Sequence, residues 1–280
     1  MAGIMELKEA RPVTGGNILI IDALNLAFRY KHSGEQYFAT KYIDVVKSLA
    51  RSYDCAHVII TSDLGSSQYR LNIYPDYKGD RREKVANQTE EEKEEFEVFF
   101  EEFNNTLDLI KDEFPVLKYK GVEADDIAAY LTHRQFKDWE GDIWLVSSDK
   151  DWDLLLEDNV HRFSYVTRKE YTLENWEEHY DWPHSMAMDI KVLQGGKDNV
   201  TGISGVGPKR AVQLVEQFGN SFDIYGQLPL PGKYVYIKNT NEFGENILRN
   251  IELIDKITYC EEAIGKDNIK DIKERVAKIC

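Results

Sequence analysis

Three short apolar runs constrain this chain more than any other feature. "NILIID" (17–22), "HVIITSD" (57–63) and "DIWLVSSD" (142–149) are nearly continuous, rich in β-branched residues, and each closes on an aspartate. Runs of this length and continuity suit strands buried on both faces of a parallel sheet rather than the half-exposed strands of an antiparallel one. Helical stretches lie between and beside them: "YIDVVKSLARSY" (42–53), "TEEEKEEFEVFFEEFNNTLDLIKDEF" (89–114) and "EADDIAAYLTHRQF" (123–136). The alternation predicts an α/β fold, an open and mostly parallel sheet flanked by helices with right-handed crossovers.

The long helix carries its own boundaries. Thr89 and Glu92 have the spacing of a capping box, Phe96, Phe99 or Phe100, Phe103, Leu107 and Ile110 recur at helical spacing, and Pro115 ends the run. Its other face is densely acidic and reads as solvated surface. From about residue 186 the pattern changes to glycine-punctuated helices, "MAMDIKVLQGG" and "PKRAVQLVEQFG", followed by the Pro-rich joint "LPLPGK" (228–233). The expected organisation is a flexible tail over 1–16, an α/β domain over 17–185, and a helical module with C-terminal helices over 186–280.

With 50 acidic against 35 basic residues the formal charge is −15, which excludes a protein that coats polyanions or anionic membranes non-specifically. Any contact with nucleic acid must be local. Cys55, Cys260 and Cys280 are far apart, without zinc-ligand spacing, and point to a reducing cytoplasm. No apolar run approaches the roughly 20 residues that span a bilayer.

The carboxylates carry most of the chemical information. In an open parallel sheet ligands gather outside the carboxyl ends of the strands, so Asp22, Asp63 and Asp149 are expected to converge. "GVEADD" adds Glu123, Asp125 and Asp126, and "SSDKDWD" adds Asp151 and Asp153, of which Asp153 is expected to be structural. Two unit charges at 4 Å repel by about 4 kcal/mol at an effective dielectric near 20, so such a cluster needs protons, basic partners or cations. Oxygen-only ligands favour Mg²⁺ or Mn²⁺ over Zn²⁺. Each aspartate also has a plainer reading as a helix cap or turn former.

Two further stretches suit a nucleic-acid backbone. In "YPDYKGDRREK" (74–84), Tyr77, Lys78, Arg81 and Arg82 combine cations with a stacking ring, against the plainer reading of surface ion pairs. In "VLQGGKDNVTGISGVGPKR" (192–210), Gly202, Gly205 and Gly207 allow backbone N–H groups close to a phosphate, Pro208 starts a helix, and Lys209 and Arg210 add charge. This is the pattern of a helix-hairpin-helix type module, which grips duplex without reading its sequence.

"IIDALN", "YKGDRREK", "GVEADD", "SSDKDWD" and "KDNVTGISGVGPKRA", in that order, resemble the signatures of the 5′ nuclease (flap endonuclease) family, closest to the 5′ exonucleases of tailed bacteriophages and related to the 5′ nuclease domain of bacterial DNA polymerase I. The resemblance runs from about residue 17 to 240. It implies a Mg²⁺-dependent hydrolase that cuts branched DNA where a 5′ single strand meets duplex during replication or repair, acting as a monomer in the host-cell cytoplasm. It also implies a helical arch over about 78–110 for the free strand, and a helix-three-turn-helix module. By motif, Asp22, Asp63, Glu123, Asp125, Asp126, Asp149, Asp151 and Asp198 would hold two ions, directly or through waters. Lys78 and Arg81 would meet the scissile phosphate, and Tyr77 would stack on a nucleotide. Arg82, Gly205, Gly207, Lys209, Arg210 and Lys233 would hold DNA, with K⁺ in the Gly205–Arg210 turn.

One departure stands out. The family pattern at this turn is Gly-Asp-x-x-Asp-Asn, whereas "QGGKDN" has Gly195 or Gly196 where the first aspartate belongs, leaving Asp198 alone. The expectation is a weakened second metal site, and the rival reading is a DNA-junction binder with reduced or lost cleavage. A phosphatase with an aspartyl nucleophile would want an aspartate where Leu24 stands. A ribonuclease of similar topology is separated by its preference for RNA flaps.

Overall fold

The computed structural model describes residues 15–196 and 198–279. Residues 1–14, most of the expected tail, lie outside them, as do Lys197 and Cys280. Gly15 and Gly16 do not behave as tail: the Gly15 carbonyl meets His57 Nε2 at 2.9 Å and Trp139 Nε1 donates to the Gly16 carbonyl at 3.0 Å.

Six strands form one sheet: β1 (Asn17–Asp22), β2 (Cys55–Leu64), β3 (Val116–Lys120), β4 (Ile143–Val146), β5 (Val160–Ser164) and β6 (Lys169–Tyr171), in the order β3-β2-β1-β4-β5-β6. All neighbours pair in parallel except β5 with β6. The chain builds outward from β1 through β2 to β3, then crosses to β4 on the other side, so the topological switch lies between β1 and β4. That is where an open α/β sheet offers its crevice.

The strand runs are continuous because both faces are covered. Ile18 and Ile20 pack into one core, Leu19 and Ile21 into the other. The Leu19 side is closed by α1 (Ala23–Ser33), α2 (Ala39–Ser52) and α5 (Glu90–Ile110). The short α3 (Gln68–Ile73) and α4 (Gly79–Ala86) lie between β2 and α5 in sequence. The Ile18 side is closed by α6 (Ala124–Tyr130), its π-helical continuation Leu131–Gln135, and two helices from the C-terminal end of the chain.

The C-terminal region holds α7 (Ala187–Gln194), α8 (Pro208–Phe218), α9 (Ser221–Gly226), α10 (Val235–Phe243), α11 (Glu245–Ile254), α12 (Lys256–Ile264) and α13 (Lys266–Val276). Helices α7 to α11 share a separate core built on Leu193, Leu214, Ile237, Ile247 and Ile251. Helices α12 and α13 do not belong to it: Cys260, Ile264, Ile272 and Val276 join the sheet's core beside α6. The last two helices of the 186–280 region therefore pack on the sheet, beyond the helical module that precedes them.

Helix α5 forms as its sequence dictates. Glu92 N donates to Thr89 Oγ1 at 3.2 Å and Thr89 N to Glu92 Oε2 at 2.8 Å, and Phe99, Phe103, Leu107 and Ile110 are buried. From Asp80 to Glu95, spanning α4 and the first turns of α5, no residue is buried.

Candidate metal site and active site

The switch point gathers the strand-terminal aspartates. Asp22, last in β1, caps α1: its Oδ1 accepts from Asn25 N at 3.2 Å and its Oδ2 from Ser147 Oγ at 2.8 Å. Ser147 follows β4 directly, and the same Oγ accepts from Asp149 N at 3.1 Å. Asp149 Oδ1 accepts from Asp151 N at 3.0 Å, while Asp63 Oδ1 accepts from Ala124 N at 2.6 Å, the first residue of α6. Capping and convergence are thus properties of the same side chains. The backbone donors aim each carboxylate but leave it without a direct ion pair among the described residues; Lys78 near Asp63 and Lys191 near Asp149 offset part of the charge. Burial pushes all three carboxyls above the ordinary range, helped by Asp63 at Asp22, by Glu123 at Asp63 and by Asp151 at Asp149.

The remaining carboxylates have cations inside the fold. Glu123 accepts from Lys78 Nζ at 2.6 Å, from the Tyr77 hydroxyl at 3.0 Å and from Lys256 Nζ at 3.3 Å. Burial would raise its carboxyl, yet Lys256, Lys78 and Arg70 hold it well below the usual range. Asp125 lies 3.0 Å from Lys256 Nζ; burial pushes it up to about 7, and its buried Oδ1 has no hydrogen-bond partner. Asp151 is held below the usual range, against burial, by Lys191 at 2.6 Å. Asp198 pairs with Arg81 at 2.6 Å and more distantly with Lys78 at 3.8 Å. Glu123, Asp125 and Asp126 offer ligand atoms within 4.8 Å of one another.

Asp126 is the exception. Both of its oxygens are taken, at 2.7 Å each, by the Arg70 guanidinium, and both side chains are fully buried. With both oxygens held by Arg70 and its ligand atom still grouped with those of Glu123 and Asp125, Asp126 is placed to hold an ion through water rather than with a free oxygen. Asp153 likewise meets Arg162 at 2.5 Å and the Tyr180 hydroxyl at 2.5 Å, a buried structural pair as its position in the motif suggested.

Arg70, Lys191 and Lys256 carry no motif in the sequence. That converging carboxylates need basic partners follows from Coulomb's law, but Lys256 lies more than 130 residues from Glu123, and no local signal announces such a pairing.

The basic stretch divides into roles. Tyr77 is 2% exposed, packed with Val200 and Leu253 and hydrogen-bonded to Glu123, and it lines the floor of the cavity that Arg81 faces. Lys78 is buried, in the left-handed region (φ 55°), with its N–H donating to the Asp198 carbonyl at 3.0 Å. A lysine held at that φ against ordinary preference marks a backbone fixed by the site around it. Arg82 donates to the carbonyls of Tyr77 and Pro75 at 2.6 and 2.8 Å, and so ties its own turn rather than reaching outward. Arg81, with 56% of its side chain exposed, faces a cavity of about 630 Å³ also lined by Asp149, Asp151, Asp198, Lys191 and Lys256.

The glycine turn is built around close packing. A Cβ on Gly202 would overlap the Gln194 carbonyl, so this glycine serves the α7 to turn contact, not a phosphate. Buried Asn250 holds the turn by donating to the carbonyls of Val192 and Thr201 at 3.1 and 2.9 Å. Gly205 takes φ 76°, and Gly207 caps α8 with open space beside its Cα. Lys209 and Lys233 are exposed. Arg210 folds back onto the Gly205 carbonyl and over the Tyr236 ring.

Comparison with known proteins adds an independent line. Residues 17–181 match the family model described as the 5′-3′ exonuclease, N-terminal resolvase-like domain. The chain is 42% identical over 280 residues to the flap endonuclease of Escherichia phage T5, covering 96% of each. It is 32% identical over 165 residues to DNA polymerase I of Rhizobium leguminosarum, covering 59% of this chain and 15% of that one. A crystal structure of the phage protein with metal ions superposes with a TM-score of 0.89 at 41% identity, covering 94% of this chain and 99% of that one. A pseudo-enzyme-product complex of the phage enzyme with DNA and metal ions gives the same TM-score and identity over 94% and 98%. A family model over more than half of the chain, and a relative matched along nearly its whole length, agree with the carboxylate crevice: this chain belongs to the 5′-3′ exonuclease family of metal-dependent nucleases.

Proposed function

We propose that the protein is a structure-specific 5′ nuclease that uses Mg²⁺ to hydrolyse branched DNA near the junction of a 5′ single strand with duplex. One observation carries the reading: Asp22, Asp63 and Asp149 converge at the switch point of the sheet, none of them in an ion pair among the described residues, and all three carboxyls are raised despite Lys78 near Asp63 and Lys191 near Asp149. An oxygen-only set whose carboxyls stay raised fits a hard divalent ion, and Mn²⁺ substitutes for Mg²⁺ in such sets. The three aspartates, with Glu123, Asp125, Asp151 and Asp198, would hold two ions. Bound there, they supply an ionised water at neutral pH and neutralise charge on the phosphate.

The chain's own groups do the rest. Arg81 is exposed enough to take a phosphate oxygen at the mouth of the cavity, and Lys78 adds positive charge from behind Glu123. The exposed helices α4 and α5, joined at residues 87–89 and rooted beside Lys78, suit an arch over a single strand. The acidic face of α5 turns phosphates away from other paths. At the start of α8 the positive end of the helix, with no acidic residue in the first turn and Lys209 exposed, suits a duplex phosphate. K⁺ in this turn would bind carbonyls such as those of Ile203, Ser204 and Gly205, which each accept one hydrogen bond, from Val206, Asn239 and Arg210, and keep a second lone pair.

The missing aspartate does not favour a junction binder, because seven other carboxylates assemble without it. It does define a test. Gly195 takes φ 80°, and a Cβ there would overlap Gly202 N and the Val200 carbonyl, whereas nothing lies within 4 Å of a Cβ on Gly196. Gly195→Asp is expected to lose about 1–3 kcal/mol of stability. Gly196→Asp is expected to fold normally and to bind Mg²⁺ more tightly by calorimetric titration; an unchanged isotherm would place the departure outside the metal site.

Cleavage of 5′-labelled flap DNA across a Mg²⁺ and Mn²⁺ titration tests the function, with Asp149→Asn as the control for contaminating nuclease. Metal-dependent cutting near the junction, absent from the control, is the expected result. Tight flap binding without cutting would identify a binder, and preference for an RNA flap a ribonuclease.

A further inference from the structure

Lys256 sits where a helix least favours it. It is the first residue of α12, after the cap formed by Asp255 Oδ1 and Thr258 N at 2.9 Å, so its charge lies at the positive end of the helix dipole. Its side chain is only 5% exposed, and a buried ammonium is costly unless matched by anions. A residue that breaks both local rules needs a compensating gain elsewhere.

That gain is visible in its partners. The ammonium lies 3.0 Å from Asp125 Oδ2 and 3.3 Å from Glu123 Oε2, and it lines the cavity that holds Asp149, Asp151 and Asp198. Its position is fixed from two sides. Arg70 Nε donates to the Leu253 carbonyl at 2.9 Å, just before the break between α11 and α12, and the same guanidinium holds Asp126 and approaches Glu123 at 3.5 Å. On the other side α12 packs against α6, the helix that begins at Glu123 and carries Asp125. The chain thus returns from its C-terminal region to place a single positive charge among the carboxylates.

We propose that Lys256 is a positioning residue that acts as the resident counter-ion of the metal cluster, holding Glu123 and Asp125 in place without a divalent ion and limiting how tightly that ion binds. The proposal rests on the metal-dependent reading above. Two effects of opposite sign follow. Removing the charge leaves Asp125 without an ion pair and Glu123 with Lys78 and Arg70 alone, so the metal-free protein loses stability. The same removal takes a repulsive unit charge away from an incoming divalent ion, so affinity rises. A residue that merely packed would produce the first effect without the second.

The test is Mg²⁺ binding by calorimetry and melting temperature with and without Mg²⁺, on wild type, Lys256→Met and Lys256→Arg, all without DNA. Lys256→Met is expected to melt lower than wild type in metal-free buffer, to recover more on Mg²⁺ addition, and to bind Mg²⁺ about tenfold more tightly, as loss of a nearby repulsive charge requires. Lys256→Arg, which keeps the charge, is expected to retain the wild-type affinity. If the methionine variant folds only with Mg²⁺ present, the proposal is supported; if it stays unfolded at saturating Mg²⁺, the role is structural and the proposal fails. Equal or weaker binding by a folded Lys256→Met also overturns it. Absence of Mg²⁺ binding by wild type would instead overturn the metal-dependent reading itself.

Discussion

Arg70→Met is expected to lower the unfolding free energy by about 3–5 kcal/mol, the cost of leaving a buried carboxylate without its partner. The guanidinium is fully buried and satisfied on every side: Asp126 takes both terminal nitrogens, Ser67 Oγ accepts from Nη1 at 3.2 Å, and Leu253 accepts from Nε. Methionine fills comparable volume, so the loss reports charge and hydrogen bonding rather than a cavity. The double variant Arg70→Met/Asp126→Leu removes both charges and is expected to recover most of the loss. Urea unfolding in metal-free buffer measures both, and a single-variant loss below about 1 kcal/mol would show the pair to be far more solvated than its burial implies.

Asp63→Asn is expected to cut Mg²⁺-dependent cleavage by about 10³-fold, since several kcal/mol of transition-state stabilisation passes through the ion it helps hold. Its effect on the metal-free protein has the opposite sign. The Asp63 carboxyl is raised by burial and by Glu123 against the opposing pull of Lys78, so a neutral amide relieves a net cost that the folded state bears. Asparagine keeps the acceptor for Ala124 N at the head of α6, so the local structure is retained. The melting temperature without metal is expected to rise while activity collapses and the stabilisation conferred by Mg²⁺ shrinks. A variant that lost stability and activity together would mark Asp63 as a capping residue first. The divergence is the signature of a site that trades stability for function.

The sequence was most legible where local chemistry and tertiary role coincide. The apolar continuity of β1, β2 and β4 announced a sheet covered on both faces, and the Thr89/Glu92 box announced the start of α5, because both signals are carried by residues a few positions apart. β3 (VLKYK), β5 (VHRFS) and β6 (KEY) left no such mark, because polar residues interrupt their apolar positions and β6 pairs only at an edge. Helix α1 was obscured for a different reason, since its N-cap is Asp22, which the carboxylate pattern claimed for the site.

Within the site, the types of residue were readable but their division of labour was not. The motif "GVEADD" supplies three carboxylates, yet only packing decides that Asp126 turns to Arg70 while Glu123 and Asp125 face Lys256. Tyr77 resembles an exposed stacking ring until the turn at Val200 and the end of α11 close over it. Gly202 resembles a phosphate-binding glycine until the Gln194 carbonyl occupies the place of its side chain.

The sequence by itself determined the parallel α/β class, the convergence of the strand-terminal aspartates and the need for cations among them, because periodicity, strand polarity and Coulomb repulsion act without reference to the rest of the chain. Only the tertiary structure decided which cations meet that need. Arg70, Lys191 and Lys256 reach the cluster from helices far apart in sequence, and a buried charge chooses its partner by proximity in three dimensions, which no local pattern encodes.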